Sequence, residues 1–204
     1  MNKCKVYLLD DHKIIRDGIK SILLQTEIYE VSGEEGDPVK FLEELHHLEM
    51  NILLLDISLP NISGFQIIPK IGKERPDVKI MVLSMHNDPE FMQRCLLLGA
   101  HGYLSKDADS KEFIKAMDCV RGGKIFSPAM MKTNDKILES SGVLTQREIE
   151  VLLLLSNGYS SKQIGAELSI SARTVETHRL NIMKKLGTSN SAETISVAAK
   201  LNII

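Results

Sequence analysis

The sequence has no long run of apolar residues. Its longest unbroken stretch, residues 151–155 in a chain of 204, is far short of the roughly 20 residues a helix needs to cross a bilayer. Ahead of the acids Asp10 and Asp11 the apolar run covers only residues 6–9, too few for the core of a secretory signal, so a cytoplasmic location is expected. Cysteine is scarce. Cys4, Cys95 and Cys119 are odd in number and far apart, which suggests neither a disulfide framework nor a paired-cysteine metal motif; they read as reduced, structural thiols. No large excess of either charge is present, the net being −2. The charge is unevenly placed, however: 18 basic and 22 acidic residues lie up to position 142, and 7 basic and 5 acidic residues beyond it. An acidic first part and a mildly basic last part are compatible with nucleic acid at the far end, without establishing it. What is present, 43% hydrophobic and 25% charged residues, is ordinary for a globular chain, and the length suits one α/β domain plus a small module.

Up to about residue 122, short apolar runs at 6–9, 52–55, 80–83 and 103–104 alternate with longer stretches of helical spacing, such as Ile15, Ile19 and Ile22, or Phe113, Met117 and Val120. The runs predict buried parallel strands, and residues 28–32, which alternate, predict an edge strand. A repeated βα unit builds a doubly wound sheet whose ligand site lies at the carboxyl ends of the strands. Before the last strand, Phe91, Cys95 and Leu98 share a core-spaced face. Leu97 points the other way, as a dimer or interdomain contact or as an ordinary exposed leucine. The pattern breaks at Gly122 and Gly123, giving a first domain over 1–124 and a linker over 125–142 with room for a short helix near Ile137.

Four short helices are expected over 143–204. A capping box, Thr145 with Glu148, opens a helix to about residue 156 that stops at Gly158. Ser160 caps a second, ending near Leu168; Ser171 caps a third, running to Leu186 and stopped by Gly187; Asn190 or Ser191 opens the last.

Asp10 and Asp11 follow the first strand and Asp56 the third, so a doubly wound sheet brings all three carboxylates to one rim. Clustered carboxylates repel unless a cation intervenes, and hard oxygen ligands suit Mg²⁺. Ser84 follows the fourth strand and Lys106 the fifth. A carboxylate, a metal, a hydroxyl and an ammonium together are suited to receive a phosphoryl group on the carboxylate. Singly, each residue is an ordinary cap or loop residue; the joint placement is what carries the reading.

Asp10-Asp11-His12, Leu55-Asp56-Ile57-Ser58-Leu59-Pro60 with Gly64, Leu83-Ser84-Met85-His86 and Gly102-Tyr103-Leu104-Ser105-Lys106 together resemble the receiver domain of two-component response regulators, from residue 3 to about 122. The resemblance implies a flavodoxin-like, five-stranded parallel sheet in the order 2-1-3-4-5. It further implies that Asp56 takes phosphate from a sensor histidine kinase, and that Asp10, Asp11, Asp56 and the backbone carbonyl of Ser58 hold Mg²⁺. Ser84 and Lys106 would contact the phosphate, and Ser84 with Tyr103 would form the switch, the serine moving toward the phosphate as the tyrosine turns inward. Such a chain is a phosphoacceptor with at most slow self-catalysed phosphorylation and dephosphorylation, not an enzyme. Many receivers have proline where Asp107 stands, which leaves open whether the Lys106–Asp107 bond is cis.

At about 100° per residue the third C-terminal helix is two-sided. Val175, Ile182 and Leu186 fall on one face with His178 beside them; Arg173, Thr177, Leu180 and Lys184 fall opposite, flanked by Thr174, Glu176 and Asn181. A short capped helix, a turn through Ile170 and a longer basic helix follow in helix-turn-helix order; on spacing alone, a plain surface helix remains an equal reading. Leu144-Thr145-Gln146-Arg147-Glu148, Gly158, Lys162-Gln163-Ile164, and Ser171 to His178 with Ile182 and Lys185-Leu186 resemble the LuxR-type helix-turn-helix across residues 143–204. Receiver plus this module is the NarL/FixJ class. The resemblance implies bases read from Glu176, Thr177 and Leu180, with Lys162, Arg173, Lys184 and Lys185 nearer phosphates. Some relatives have lysine where Glu176 and Leu180 stand; here Glu176 can accept from cytosine N4 and Leu180 can meet a thymine methyl. His178 is read as structural or as a base contact, and Arg179 as snorkelling to a phosphate. So small a module implies a dimer on two half-sites of promoter DNA about one helical turn apart. Ile195, Val197, Ala198 and Leu201 serve equally as dimer contacts or as core.

The leading reading is therefore a phosphorylation-switched transcription regulator that dimerises. An Mg²⁺-dependent phosphatase with Asp56 as nucleophile generally needs a second acid near the nucleophile, and Ser58 occupies the two-residue offset. A third reading is a DNA- or protein-binding module indifferent to phosphorylation. Phosphomonoester turnover would mark the phosphatase, and promoter affinity unchanged by a phosphodonor would mark the third.

Overall fold

A computed structural model of the chain describes residues 3–127, 144–201 and 203–204. They divide into two compact units, Met1–Lys132 and Thr133–Ile204. In the first, β1 (Cys4–Leu9), α1 (Lys13–Leu24), β2 (Tyr29–Glu35), α2 (Pro38–Glu44), β3 (Ile52–Asp56), α3 (Gly64–Glu74), β4 (Lys79–Ser84), α4 (Pro89–Leu98), β5 (Gly102–Ser105) and α5 (Ser110–Arg121) follow in turn. The strands form one sheet in the order β2-β1-β3-β4-β5, every neighbouring pair parallel, as the resemblance implies.

Period-two alternation sends Val6, Leu8, Ile52, Leu54, Met81, Leu83 and Leu104 to one face. There they pack with Ile19 and Leu23 of α1 and with Phe113, Ala116, Met117 and Val120 of α5. Residues between them face the other side, where Tyr7 meets Phe41 of α2 at 5.5 Å between ring centroids and α3 turns in Phe65, Ile67, Ile68 and Ile71. Strand order reverses between β1 and β3, which opens the crevice at their carboxyl ends. Close packing shapes its floor: a Cβ on Gly64 would lie 2.7 Å from the Asp56 carbonyl oxygen, so only glycine lets α3 start so near β3.

Three expectations need correction. The edge strand runs Tyr29–Glu35, not 28–32: a bulge between Val6 and Tyr7 shifts the register, and Glu34 and Glu35 pair with Leu8 and Leu9, a polar ending that apolar alternation does not reveal. Leu97 is 2% exposed, because α4 packs against both α3 and β5. The first domain also continues past residue 124. Phe126, 2% exposed, donates its amide to the His101 carbonyl and accepts from the Tyr103 amide, bridging parallel to Gly102. Residues 128–142, with the short helix expected near Ile137, lie outside the described residues. The Lys106–Asp107 bond is trans, as no cis bond is found among the described residues.

The second unit holds α6 (Gln146–Ser156), α7 (Ser161–Glu167), α8 (Ala172–Leu186) and α9 (Ser191–Lys200). Thr145 and Ser160 form complete capping boxes, Ser171 and Asn190 cap α8 and α9, and Gly187 ends α8 in the left-handed conformation at φ 65°. Leu144, Ile149, Val151, Leu152, Ile164, Val175, Ile182, Leu186, Ala198 and Leu201 are buried; Ala198 and Leu201 are thus core, and Ile195 and Val197 half-buried. A Cβ on Gly165 would lie 2.7 Å from the Ile170 carbonyl oxygen, so α7 needs glycine where the chain turns into α8. No helix among the described residues is long and apolar enough to cross a membrane.

Candidate functional site

The carboxyl ends of β1, β3 and β5 and the loops that follow them deliver the predicted acids and lysine to one point. Asp56 is the last residue of β3 and 2% exposed, and Asp10, just past β1, is 3% exposed. Lys106, one residue past β5, places Nζ 2.8 Å from Asp56 Oδ2 and 2.8 Å from Asp10 Oδ2. The other Asp56 oxygen, Oδ1, accepts from the Ser58 amide at 3.0 Å, and Asp10 Oδ1 accepts from the His12 amide at 2.9 Å. Burial works against the Lys106 ammonium, but its contacts with Asp10 and Asp56 outweigh that and hold its pKa above the ordinary lysine value. Asp11 is exposed, and its Oδ1 lies 2.8 Å from His12 Nδ1.

One ligand atom from each of Asp10, Asp11, His12 and Asp56 falls within 4.8 Å of the others. Three carboxylates bring three negative charges, of which Lys106 offsets one. Lys106 approaches Asp10 Oδ2 off the direction of a hydrogen bond, leaving a buried oxygen with an unused lone pair. Surplus negative charge and an unbonded hard oxygen fit a small divalent cation of the Mg²⁺ type, with water completing its shell. His12 was quoted in the motif but not expected at the cluster; its place directly after the two acids was the available signal. Arg16 was also missed. Its Nη1 donates to the Asp10 carbonyl at 2.5 Å, and its Nε lies 3.5 Å from Glu34 Oε2.

Ser84, fully buried at the end of β4, accepts from the His86 amide at 3.1 Å, and its carbonyl accepts from the Lys106 amide at 2.9 Å. Tyr103 is 1% exposed, and its hydroxyl donates to the His86 carbonyl at 2.6 Å. Serine and tyrosine thus meet on one residue of the β4–α4 loop. The His86 ring stacks on Phe91 at 4.6 Å, and Phe91 lies 5.5 Å from Phe65 of α3.

On α8, Arg173, Thr174, Glu176, Thr177, Leu180, Asn181 and Lys184 are exposed, as is Lys162 on α7. Leu180 is 62% exposed on this otherwise polar face. The Thr177 hydroxyl donates to the Arg173 carbonyl at 3.1 Å. His178 is half-buried. The Lys185 ammonium lies 2.6 Å from Glu148 Oε2, a carboxylate 3% exposed that also accepts from the Thr145 amide at 2.7 Å. Lys185 therefore ties α8 to α6 inside the module. Arg147 performs a second internal task, donating to the Leu168 carbonyl at the end of α7 and to Glu150 at 2.8 Å.

Residues 6–118 match the family described as the response regulator receiver domain, and residues 142–198 match the bacterial regulatory proteins of the luxR family. The chain is 34% identical to the transcriptional regulatory protein MctR of Rhizobium johnstonii over 205 aligned residues, covering 99% of this chain and 96% of MctR. A structure of two RcsB dimers bound to two parallel DNAs matches with a TM-score of 0.60 at 28% identity, over 97% of this chain and 98% of that one. RcsB from Salmonella enterica serovar Typhimurium, bound to promoter rprA in the presence of the phosphomimetic BeF3⁻, matches with a TM-score of 0.58 at 26% identity, over 97% and 99% of the two chains.

Proposed function

The chain belongs to the response regulators that join a receiver domain to a LuxR-family DNA-binding domain, and from that premise we propose that a phosphoryl group on Asp56 controls how the second domain engages promoter DNA. One piece of geometry supports this above all: a buried Asp56 carboxylate with the Lys106 ammonium 2.8 Å from one oxygen and the Ser58 amide 3.0 Å from the other. A carboxylate so held is oriented and shielded from competing water.

The donor is a phosphohistidine on a sensor kinase: its P–N bond breaks and a P–O bond to Asp56 forms. Lys106 shifts its charge contact from the carboxylate to the phosphoryl oxygens. Ser84, whose hydroxyl oxygen now accepts from the His86 amide, turns its O–H toward one of those oxygens. Mg²⁺, when held by Asp10, Asp11, Asp56 and the Ser58 carbonyl, supplies further charge neutralisation at those oxygens. Because Ser84 and Tyr103 both bond His86, a move by the serine changes the loop that fixes the tyrosine. That biases two arrangements of the β4–α4 surface.

The receiver extends through Ser127, residues 128–142 link the domains, and the phosphorylated chain dimerises on two half-sites, in the cytoplasm where promoter DNA is found. Glu176, Thr177 and Leu180 read base edges, with Thr174 and Asn181 beside them and Lys162, Arg173 and Lys184 on phosphates. RcsB bound to a promoter in the presence of a phosphomimetic supports extending this arrangement to the present chain. Genomic footprinting with and without a small phosphodonor tests it. Sites protected by the wild type only with donor, and not by Asp56→Asn, are expected; identical footprints under all conditions would refute the switch.

A further inference from the structure

Arg179 lies between the two faces of α8, and its hydrogen bonds are all internal. Nη1 donates to Ser161 Oγ at 2.7 Å and to Glu176 Oε1 at 2.8 Å, and Nη2 donates to Ser191 Oγ at 2.6 Å. Ser161 is the first residue of α7 and Ser191 the first of α9. One planar guanidinium therefore ties α8 to the starts of both neighbouring helices, a task for a rigid fork of donors that a flexible ammonium cannot repeat. A cation there faces the positive ends of two helices, which is unfavourable unless an anion joins it. Glu176, one turn earlier, is that anion: its Oε1 accepts from Arg179 and from the Ser161 hydroxyl. Its side chain is nevertheless 54% exposed, and it lies beside Thr177 on the polar side of the helix.

Resting on the reading that α8 enters the major groove, we infer that Arg179 is a positioning residue for base recognition, holding Glu176 so that its second oxygen accepts a hydrogen bond from cytosine N4. Oε1 is committed within the protein, which leaves Oε2 for the base. Three of the four terminal N–H groups of Arg179 already donate inside the module, and Nε is buried, so the guanidinium is engaged chiefly within the protein rather than offered to a phosphate. Glutamate held in place discriminates between bases; glutamate free to rotate swings away from the groove and loses that selectivity at an entropic cost on binding.

The test is selection from a randomised duplex library with acetyl phosphate present, followed by affinity measurements across salt concentrations, on the full-length wild type and the variants R179K, R179M, S191A and E176Q. The wild type is expected to prefer cytosine over thymine by about tenfold at one position of each half-site. E176Q should lose that preference, and R179K and R179M should reduce it to about twofold while preferences elsewhere persist. The slope of log affinity against log salt should stay unchanged, whereas loss of one phosphate contact would lower it by about 0.9. S191A removes only the Nη2 anchor and should give an intermediate preference; it carries the test if the Arg179 variants unfold. Cytosine preference intact in R179M and S191A, or a loss spread evenly over all positions, would overturn the inference and leave the DNA reading standing. A wild type that enriches no sequence at all would overturn both.

Discussion

Replacing Lys185 with methionine should destabilise the C-terminal unit by about 2 kcal/mol without weakening its electrostatic grip on DNA. The magnitude follows from the pair it breaks. Glu148 is 3% exposed and Lys185 21% exposed, with 2.6 Å between the charges. Stripping one partner from a fully buried pair costs about 3–5 kcal/mol, and the partial exposure of Lys185 lets solvent screen some of that. Glu148 would keep its bonds from the Thr145 amide and hydroxyl, at 2.7 and 3.0 Å, so the capping box survives while the α6–α8 tie is lost. In a module of about 60 residues each kcal/mol moves the midpoint by roughly 4–8 °C, giving a fall of roughly 8–16 °C. Calorimetry of the full chain, with the receiver transition as internal reference, measures it. Glu148→Gln should produce a similar fall, since it keeps the capping acceptor and loses the charge. An unchanged midpoint together with a salt slope for DNA binding reduced by about one would rule out the internal pairing, because that is the signature of a lysine on a phosphate.

His101 gives a pH dependence. Burial, with Lys79 nearby, pushes its pKa down to about 4, and its Nδ1 accepts from the Ile80 amide at 3.2 Å. The folded-state value lies below the unfolded one, so this stability is present above about pH 6.5 and is lost as pH falls toward 4. Urea unfolding should show the wild-type receiver losing up to about 3 kcal/mol more than His101→Asn across that window, solvent screening of the half-buried ring lowering the figure; parallel pH profiles would contradict this. Gly165→Ala places a Cβ 2.7 Å from the Ile170 carbonyl oxygen, backbone that cannot give way, and should destabilise the module by about 1–3 kcal/mol in a thermal melt. Leu180→Ala, at a position 62% exposed, should leave stability within about 0.5 kcal/mol and remove any preference for thymine beneath it; a large stability loss would place Leu180 in the core instead.

The pocket was legible in the sequence because its parts are local. A fully apolar run such as Ile52 to Leu55 is a buried strand, and the residue after it must emerge at the strand's carboxyl end, so four short segments sufficed to bring Asp10, Asp56, Ser84 and Lys106 to one edge of the sheet. Helix caps were legible for the same reason: Thr145, Ser160, Ser171 and Asn190 each accept from the amide three residues ahead. What failed depends on depth and on distant partners. A helical wheel gives the direction of Leu97 but not that α4 is covered on two sides, and it gives the direction of Lys185 but not that Glu148, 37 positions earlier, waits for it. Arg179 has the same history, its bonds to Ser161 and Ser191 spanning two helix junctions. Phe126 follows a glycine pair that reads as the end of a domain, yet it adds to the edge of the sheet through hydrogen bonds no local pattern announces.

The proposed phosphorylation of Asp56 in a pocket completed by a divalent cation is measured by incubating the full chain with radiolabelled acetyl phosphate, with Mg²⁺ or with a chelator, and mapping the label. Label is expected on the peptide bearing Asp56, dependent on Mg²⁺ and absent from Asp56→Asn. Label that persists undiminished in Asp56→Asn, or that forms equally well under chelation, would contradict it.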